Sequence, residues 1–238
     1  MDPEVPLVVP EVNPDAAAGF TAKNLIANPN CSTIQMVVAL KPLHDAATIK
    51  RIVVSTYQSV SGWGWAAVEE CKRQSRQILD GEEPTVEVLP HRIAFDALPQ
   101  VDVFGENDYT REEWKMVHET HKILDPDIRL TATCVRVPSL VGHGESINIE
   151  TERKLTAAEA KALIAAAPGC ELLDDPANQR YPLCAIAEGT DPVYVGRIRE
   201  DLTIENGLNL WCVSDNLRKG AALNTIQIAE LLIERGLV

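Results

Sequence analysis

Two hydrophobic periodicities alternate along the chain and predict an alternation of strands and helices. Apolar runs and apolar–polar alternation predict strands over residues 6–10, 24–27, 51–60, 128–137 and 145–152. Apolar residues at three- and four-residue spacing predict helices over residues 32–44, 66–81, 110–124, 156–169 and 217–235. The dipeptide Asn206-Gly207 predicts a hairpin within residues 193–214.

Three of these helices carry capping boxes at their predicted starts. The boxes pair a serine or threonine with the residue three positions later, and they are Ser32-x-x-Gln35, Thr110-x-x-Glu113 and Thr156-x-x-Glu159. Strands joined by hairpins, with helices interspersed, predict an α+β domain with a mixed, mostly antiparallel sheet.

The amino-acid composition restricts the possible binding partners more than it restricts the fold. The 238 residues are 45% hydrophobic, which suffices for one large or two small domains. A net charge of −13 repels phosphate backbones, so we expect no nucleic-acid partner. No apolar run reaches membrane-spanning length and no secretion signal is recognisable, so we expect no membrane partner and a cytoplasmic location.

The six cysteines are widely and irregularly spaced, which argues against disulfides and against a zinc site. Cys31 stands apart because it follows Asn28-Pro29-Asn30 at a predicted helix start. The helix dipole and free N–H groups there would lower the pKa of the thiol and could hold an oxyanion, so Cys31 is a candidate nucleophile for acyl transfer. The alternative is that Cys31 is a small buried hydrophobic residue.

A nucleophilic thiol needs a base, and His143 is the best-placed histidine. It lies between two predicted strands and is flanked by Gly142 and Gly144, which allow close approach to a ligand. Arg136, at the end of the preceding predicted strand, could grip a carboxylate. The alternative for Arg136 is an ordinary ion pair.

Several stretches, in their order, resemble one enzyme family. "NPNCSTIQMV", "STYQSVSG", "EEWK", "CVRVPSLVGHGESINIE", "VGRIRED" and "GLNLWCVSDNLRKGAALN" together strongly resemble aspartate-semialdehyde dehydrogenase over essentially the whole chain. The resemblance implies a fold like the C-terminal domain of glyceraldehyde-phosphate dehydrogenase, with helices on one face of the sheet. It also implies three parts: a remnant of a dinucleotide-binding domain (1–30), a catalytic and dimerisation domain (31–215) and a returning C-terminal helix (216–238).

The resemblance assigns roles to ten residues. The residues that it implies are catalytic are Cys31 as nucleophile, His143 as acid/base and Gln58 as substrate orienter. Those implied to bind substrate are Asn30, Glu112, Lys115 and Arg136. Those implied to contact the cofactor are Ser61, Gly62 and Asn216. Glu112 and Lys115, three positions apart, would share one helix face.

The implied reaction makes aspartate 4-semialdehyde from 4-aspartyl phosphate. NADP(H) would supply the hydride, a cysteine thioester would form, and phosphate would be released. The step leads toward lysine, through diaminopimelate, and toward threonine and methionine. The resemblance further implies a homodimer or higher homo-oligomer and no metal.

The sequence departs from the family in two ways. No glycine-rich dinucleotide-binding motif is present, so we expect a fragment with weak or no activity by itself. The stretch "SGWGW" places Trp63 and Trp65 where the family has small residues; these rings could stack on a ligand, pack on a surface or block the pocket. Competing interpretations are N-acetyl-glutamyl-phosphate reductase, a phosphorylating glyceraldehyde dehydrogenase, or a non-catalytic truncated paralogue acting as a dimerisation partner.

Overall fold

A six-stranded sheet forms the centre of the structure, which is a computed structural model describing residues 2–238. The strands are β1 (Ile49–Gln58), β2 (Arg129–Arg136), β3 (His143–Thr151), β4 (Cys170–Leu172), β5 (Val193–Glu200) and β6 (Gly207–Ser214). They lie in the order β2-β1-β3-β6-β5-β4. The outer pairs β1–β2 and β4–β5 are parallel and the inner pairs antiparallel, which confirms the mixed, mostly antiparallel sheet.

Six α-helices accompany the sheet within residues 2–238. They are α1 (Cys31–Ala47), α2 (Trp65–Leu79), α3 (Arg111–Ile123), α4 (Ala157–Ala166), α5 (Cys184–Ala187) and α6 (Leu223–Glu234). Side chains along β1 alternate between the two faces of the sheet, and the hydrophobic core lies on one of them. Ile52 and Val54 are buried on the core face, whereas Val53 and Ser55, on the other face, are only partly covered. The buried face packs under α1, as contacts of Ile34 with the same core cluster show.

The strands predicted near the N-terminus are wrong. One parallel bridge, between Leu7 and Ala27, joins the two segments. Pro6 and Pro10 flank the first segment and lack the N–H groups that a longer ladder requires.

The hairpin between β5 and β6 forms, but its dipeptide does not make the turn. Residues 201–206 separate the strands, and Gly207 is already the first residue of β6. The Asp201 carboxylate accepts hydrogen bonds from the backbone N–H and the hydroxyl of Thr203 (2.8 and 2.6 Å), which gives the connection its own turn.

The C-terminal helix begins with a wide π-helical turn, Arg218–Ala222, before α6. Ile228 of α6 is buried against Val8 and Ala17 of the N-terminal segment, whereas Ile226 remains 56% exposed. Within residues 2–238, no helix has both the length and the apolarity to cross a membrane.

Candidate active site

Helix α1 begins at Cys31 because the preceding asparagine caps it. The side-chain oxygen of Asn30 accepts hydrogen bonds from the N–H groups of Ser32 (3.0 Å) and Thr33 (3.2 Å). Its amide nitrogen donates to Glu112 Oε1 (2.7 Å). The cap therefore fixes the thiol at the first helical position and ties it to α3.

The capping box predicted from Ser32 and Gln35 is wrong. The Ser32 hydroxyl accepts a hydrogen bond from Gln58 Nε2 (2.9 Å), so it faces β1 rather than its own helix. Gln35 is fully buried, donates to the carbonyl of His143 (3.2 Å) and accepts from Ser214 (2.7 Å). Both side chains bind the sheet, and the helix is capped by Asn30, two residues before the predicted Ser32. The boxes at Thr110 and Thr156 are confirmed.

A pocket of about 340 Å³ opens beside the thiol. The predicted site residues that line it are Asn30, Cys31, Gln58, Gly62, Glu112, Lys115 and Arg136, and it is completed by Trp63, Val101 and Asp102. The other three predicted residues, His143, Ser61 and Asn216, are buried and do not line this pocket. The structure thus brings most of the predicted residues into one cavity.

Opposite charges face each other across the α3 side of the pocket. The Lys115 ammonium lies 3.2 Å from Glu112 and 3.4 Å from Asp102, so the two predicted residues do share one helix face. Gln58 Nε2 donates to the same Glu112 carboxylate (3.2 Å). Sequence reasoning missed Asp102, which adopts φ +70° and accepts two hydrogen bonds from Arg111 (2.7 and 2.8 Å). That pairing lowers the pKa of Asp102 to about 2.

Arg136 supplies a nearly buried cation without a protein counter-ion. Its side chain is 3% exposed, and Nη1 donates to the carbonyl of Ser59 (2.7 Å). Among residues 2–238 no carboxylate lies within 4.0 Å of this guanidinium, so the alternative of an ordinary ion pair is wrong. Burial lowers the pKa of Arg136, and a buried cation of this kind favours an anionic ligand.

His143 is held as a neutral imidazole. Its Nδ1 accepts a hydrogen bond from the N–H of Ser59 (3.1 Å), which places the ring proton on Nε2. Nε2 is buried and has no hydrogen-bond partner among the described residues. Burial, reinforced by the charge of Arg136, lowers the pKa of His143 to about 3.

The surroundings of Cys31 raise the pKa of its thiol, contrary to the sequence-based prediction of a lowered pKa. Burial raises its pKa to about 12, and the charge of Glu112 adds to the rise. Arg136 and the N–H of Ser32 act in the opposite direction but are outweighed. The residue still lines the pocket and is partly accessible, so the alternative of a sealed hydrophobic residue is also wrong.

Ser61 and Asn216 form a buried scaffold behind the pocket wall. The side-chain oxygen of Asn216 accepts hydrogen bonds from Ser59 Oγ (3.1 Å), Ser61 Oγ (3.2 Å) and the N–H of Gly142 (2.8 Å). Of the three residues predicted to contact a cofactor, Gly62 alone lines the pocket. A Cβ on Gly62 would lie 2.8 Å from Arg136 Nη1, so the close approach of this turn requires glycine.

The π-helical turn supports Cys31 from behind, which sequence reasoning also missed. A Cβ on Gly220 would lie 2.7 Å from the Cβ of Cys31. The adjacent Lys219 is buried and pairs with Glu11 at 2.7 Å. The one sequence signal is a glycine inside a helical pattern, which indicates close packing.

A buried carboxyl group, Glu145, predicts an unusual pH dependence of stability. Glu145 is fully buried, contacts Cys212 Sγ (3.5 Å), and burial raises its pKa to about 8. Between its ordinary pKa of 4.5 and about pH 8, the unfolded chain has lost this proton while the folded chain keeps it, so stability falls as pH rises. We expect Glu145→Gln to remove this contribution, which amounts to about 1.4 kcal/mol per pH unit.

Urea unfolding at pH 5 and pH 8 checks this expectation. The free energy of unfolding of the unchanged protein should fall more steeply between these pH values than that of Glu145→Gln. The exposed carboxylate Glu205 provides a control, because Glu205→Gln should keep the steeper fall. Identical slopes for the unchanged protein and Glu145→Gln would contradict the assignment.

Comparisons of this chain with a family model and with known proteins all point to the same family. The family model for the semialdehyde dehydrogenase dimerisation domain matches residues 40–219. The aspartate-semialdehyde dehydrogenase of Aquifex aeolicus is 56% identical, with 100% of this chain and 71% of the relative covered. That of Shewanella violacea is 55% identical, with 98% of this chain and 69% of the relative covered.

Solved structures agree. The crystal structure of aspartate semialdehyde dehydrogenase II complexed with ASA from Vibrio cholerae is 48% identical and has a TM-score of 0.95. The similarity covers 98% of this chain and 69% of that one. A probable aspartate-semialdehyde dehydrogenase from Pseudomonas aeruginosa, 29% identical, has a TM-score of 0.90 over 98% of this chain and 70% of that one.

Proposed function

Because this chain belongs to the aspartate-semialdehyde dehydrogenase family of oxidoreductases of amino-acid biosynthesis, we propose that it acts on 4-aspartyl phosphate through a thioester on Cys31. The product would be aspartate 4-semialdehyde, a precursor of lysine, threonine and methionine. The observation that carries the proposal is the pocket itself. One cavity is lined by an accessible thiol, by an arginine without a carboxylate partner, and by the ion pair of Glu112 and Lys115.

The charges fit the groups of an aspartyl ligand. Arg136 offers N–H donors that no protein carboxylate occupies within residues 2–238, and these suit the α-carboxylate. Glu112, held by Asn30, Gln58 and Lys115, suits the α-amino group. Lys115 is 39% exposed at the pocket and suits the phosphate.

The chain's own residues account for acylation. Cys31 attacks the acyl carbon, the bond to the phosphate oxygen breaks, and the thiol proton leaves with the phosphate. The Asn30 cap already occupies the N–H groups of Ser32 and Thr33, so these are not free to hold the oxyanion. We assign that role to the Nε2–H of His143. This atom lies directly behind the pocket-lining Gly62, 3.2 Å from where a Cβ of that residue would be, and it has no hydrogen-bond partner among residues 2–238.

The later reduction requires a hydride, which NADP(H) supplies when bound. The fit of the described residues to this cofactor is partial. Gly62 presents backbone at the pocket wall, while Ser61 and Asn216 act indirectly, because their hydrogen bonds to each other and to Ser59 shape the turn that carries Gly62. We therefore propose Gly62 as the cofactor contact and the other two as its support.

We further propose a homo-oligomer built on the face of the sheet opposite α1, where β1 and β3 lie beyond the part of β6 that α5 covers. Tyr57 and Trp211 lie on that face with ring centroids 5.5 Å apart, and Ser146 between their strands is exposed. The match to a dimerisation domain over residues 40–219 supports this, and it overlaps the predicted catalytic and dimerisation part, 31–215.

A half-reaction without cofactor tests the proposed function. The purified chain is mixed with 4-aspartyl phosphate, and released phosphate and the mass of the Cys31 peptide are measured. We expect one phosphate per chain and a mass increase that hydroxylamine removes. N-acetyl-glutamyl phosphate should give neither, and a faster reaction with it would support the competing reductase. No adduct with either compound would support a non-catalytic role.

A further inference from the structure

Trp63 has a place in the pocket that the proposed reaction does not use. The short helical turn Val60–Trp63 follows β1 and carries the indole to the pocket wall, where it is 43% exposed. The Cζ atom of Arg136 lies 6.0 Å from the ring centroid, over the face of the ring. The ring therefore lines the cavity without filling it, and it faces Arg136, the pocket cation that has no carboxylate within 4.0 Å among residues 2–238.

The same turn restrains Arg136 in two directions. The carbonyl of Ser59 accepts a hydrogen bond from Nη1 (2.7 Å), which fixes one corner of the guanidinium in its plane. The guanidinium lies over the indole of Trp63, where a cation–π contact is attractive. A planar group restrained by one hydrogen bond and one cation–π contact can present its other N–H groups to a bidentate carboxylate.

Trp65, two residues later, has different surroundings. It is 72% exposed and does not line the pocket. The Nζ atom of Lys72, in the same helix, lies over its ring, 5.0 Å from the ring centroid. Gly64 separates the two tryptophans with φ +102°, a conformation that sends the chain away from the pocket into α2. The two rings are therefore chemically alike and differ in their relation to Arg136.

We propose that Trp63 is a positioning residue that orients Arg136 for the α-carboxylate of the substrate. The inference rests on the proposed function, since it presumes that an amino-acid carboxylate binds Arg136. It makes the stretch that departs from the family part of substrate recognition, rather than an obstruction.

Protection of Cys31 from alkylation tests this without any cofactor. The rate of iodoacetamide modification of the Cys31 peptide is measured by mass spectrometry, with increasing L-aspartate or with β-alanine, which lacks the α-carboxylate. The ratio of protected to unprotected rates is used for each protein, so that a change in pocket access cancels. We expect aspartate, and not β-alanine, to protect the unchanged protein.

Variants of the two tryptophans distinguish an effect on the orientation of Arg136 from a general effect on the structure. Trp63→Ala should raise the aspartate concentration for half-protection roughly threefold to tenfold, the effect of losing one cation–π contact. Trp63→Phe should restore most of the protection, and Trp65→Ala should match the unchanged protein. Equal protection of the unchanged protein and Trp63→Ala, or an equal shift in Trp65→Ala, overturns the role of Trp63 alone. Failure of aspartate to protect the unchanged protein overturns both this inference and the proposed carboxylate site.

Discussion

Replacing Cys31 with serine is expected to abolish formation of the acyl-enzyme and to lower the rate of phosphate release from 4-aspartyl phosphate by at least ~10³-fold. The serine hydroxyl is a much weaker nucleophile than a thiol, because it is far less readily deprotonated. His143, whose Nδ1 accepts the Ser59 N–H and whose pKa burial lowers to about 3, offers a hydrogen-bond donor at Nε2.

The measurement is the cofactor-free phosphate burst, together with the mass of the peptide that contains residue 31. Cys71→Ser is a matched control, because Cys71 is a free, buried cysteine in α2 whose thiol faces the carbonyl of Pro138 (4.0 Å), which can accept a hydrogen bond from a hydroxyl. The control should keep the burst. A normal burst in Cys31→Ser, or an adduct on another cysteine, would show that Cys31 is not the nucleophile.

Local signals in the sequence predicted local structure well. The capping boxes at Thr110 and Thr156 involve residues three positions apart, so short-range chemistry decides them. The box at Ser32 failed because its hydroxyl and the Gln35 amide are drawn to the sheet, to partners 26 or more residues away. Tertiary hydrogen bonds of this kind leave no trace in a three-residue pattern.

The electrostatic environment of the site could not be predicted from the sequence. A helix start favours a thiolate, but the sequence does not show how deeply Cys31 is buried or that Glu112 lies nearby, and these two effects raise the pKa of the thiol. Asp102 and Gly220 were missed for the same reason. Each acquires its role only when the fold brings it to Lys115 or to Cys31.

Glycine at position 62 links the two functional side chains that lie behind the thiol. A Cβ there would lie 2.8 Å from Arg136 Nη1 and 3.2 Å from both Cε1 and Nε2 of His143. Nη1 cannot withdraw without breaking its 2.7 Å hydrogen bond to Ser59, and the fully buried imidazole has little room to move. The backbone itself tolerates alanine, because Gly62 does not adopt a positive φ. The substitution should therefore disturb the site more than the fold.

We expect Gly62→Ala to lower the rate of acylation by about 10²-fold, the cost of a misplacement near 1 Å, with only the modest loss of stability, about 1–3 kcal/mol, that local overpacking causes. Phosphate-burst kinetics and thermal unfolding on the same preparation measure the two effects. Gly19→Ala is the matched control, since a Cβ on Gly19 meets no atom within 4 Å. An unchanged burst rate would mean that Arg136 and His143 do not need their present positions. A large fall in stability would instead show that Gly62 is needed for folding. Displacing Arg136 and His143 would then destabilise the ends of β2 and β3, where these residues lie, as well as slow the reaction.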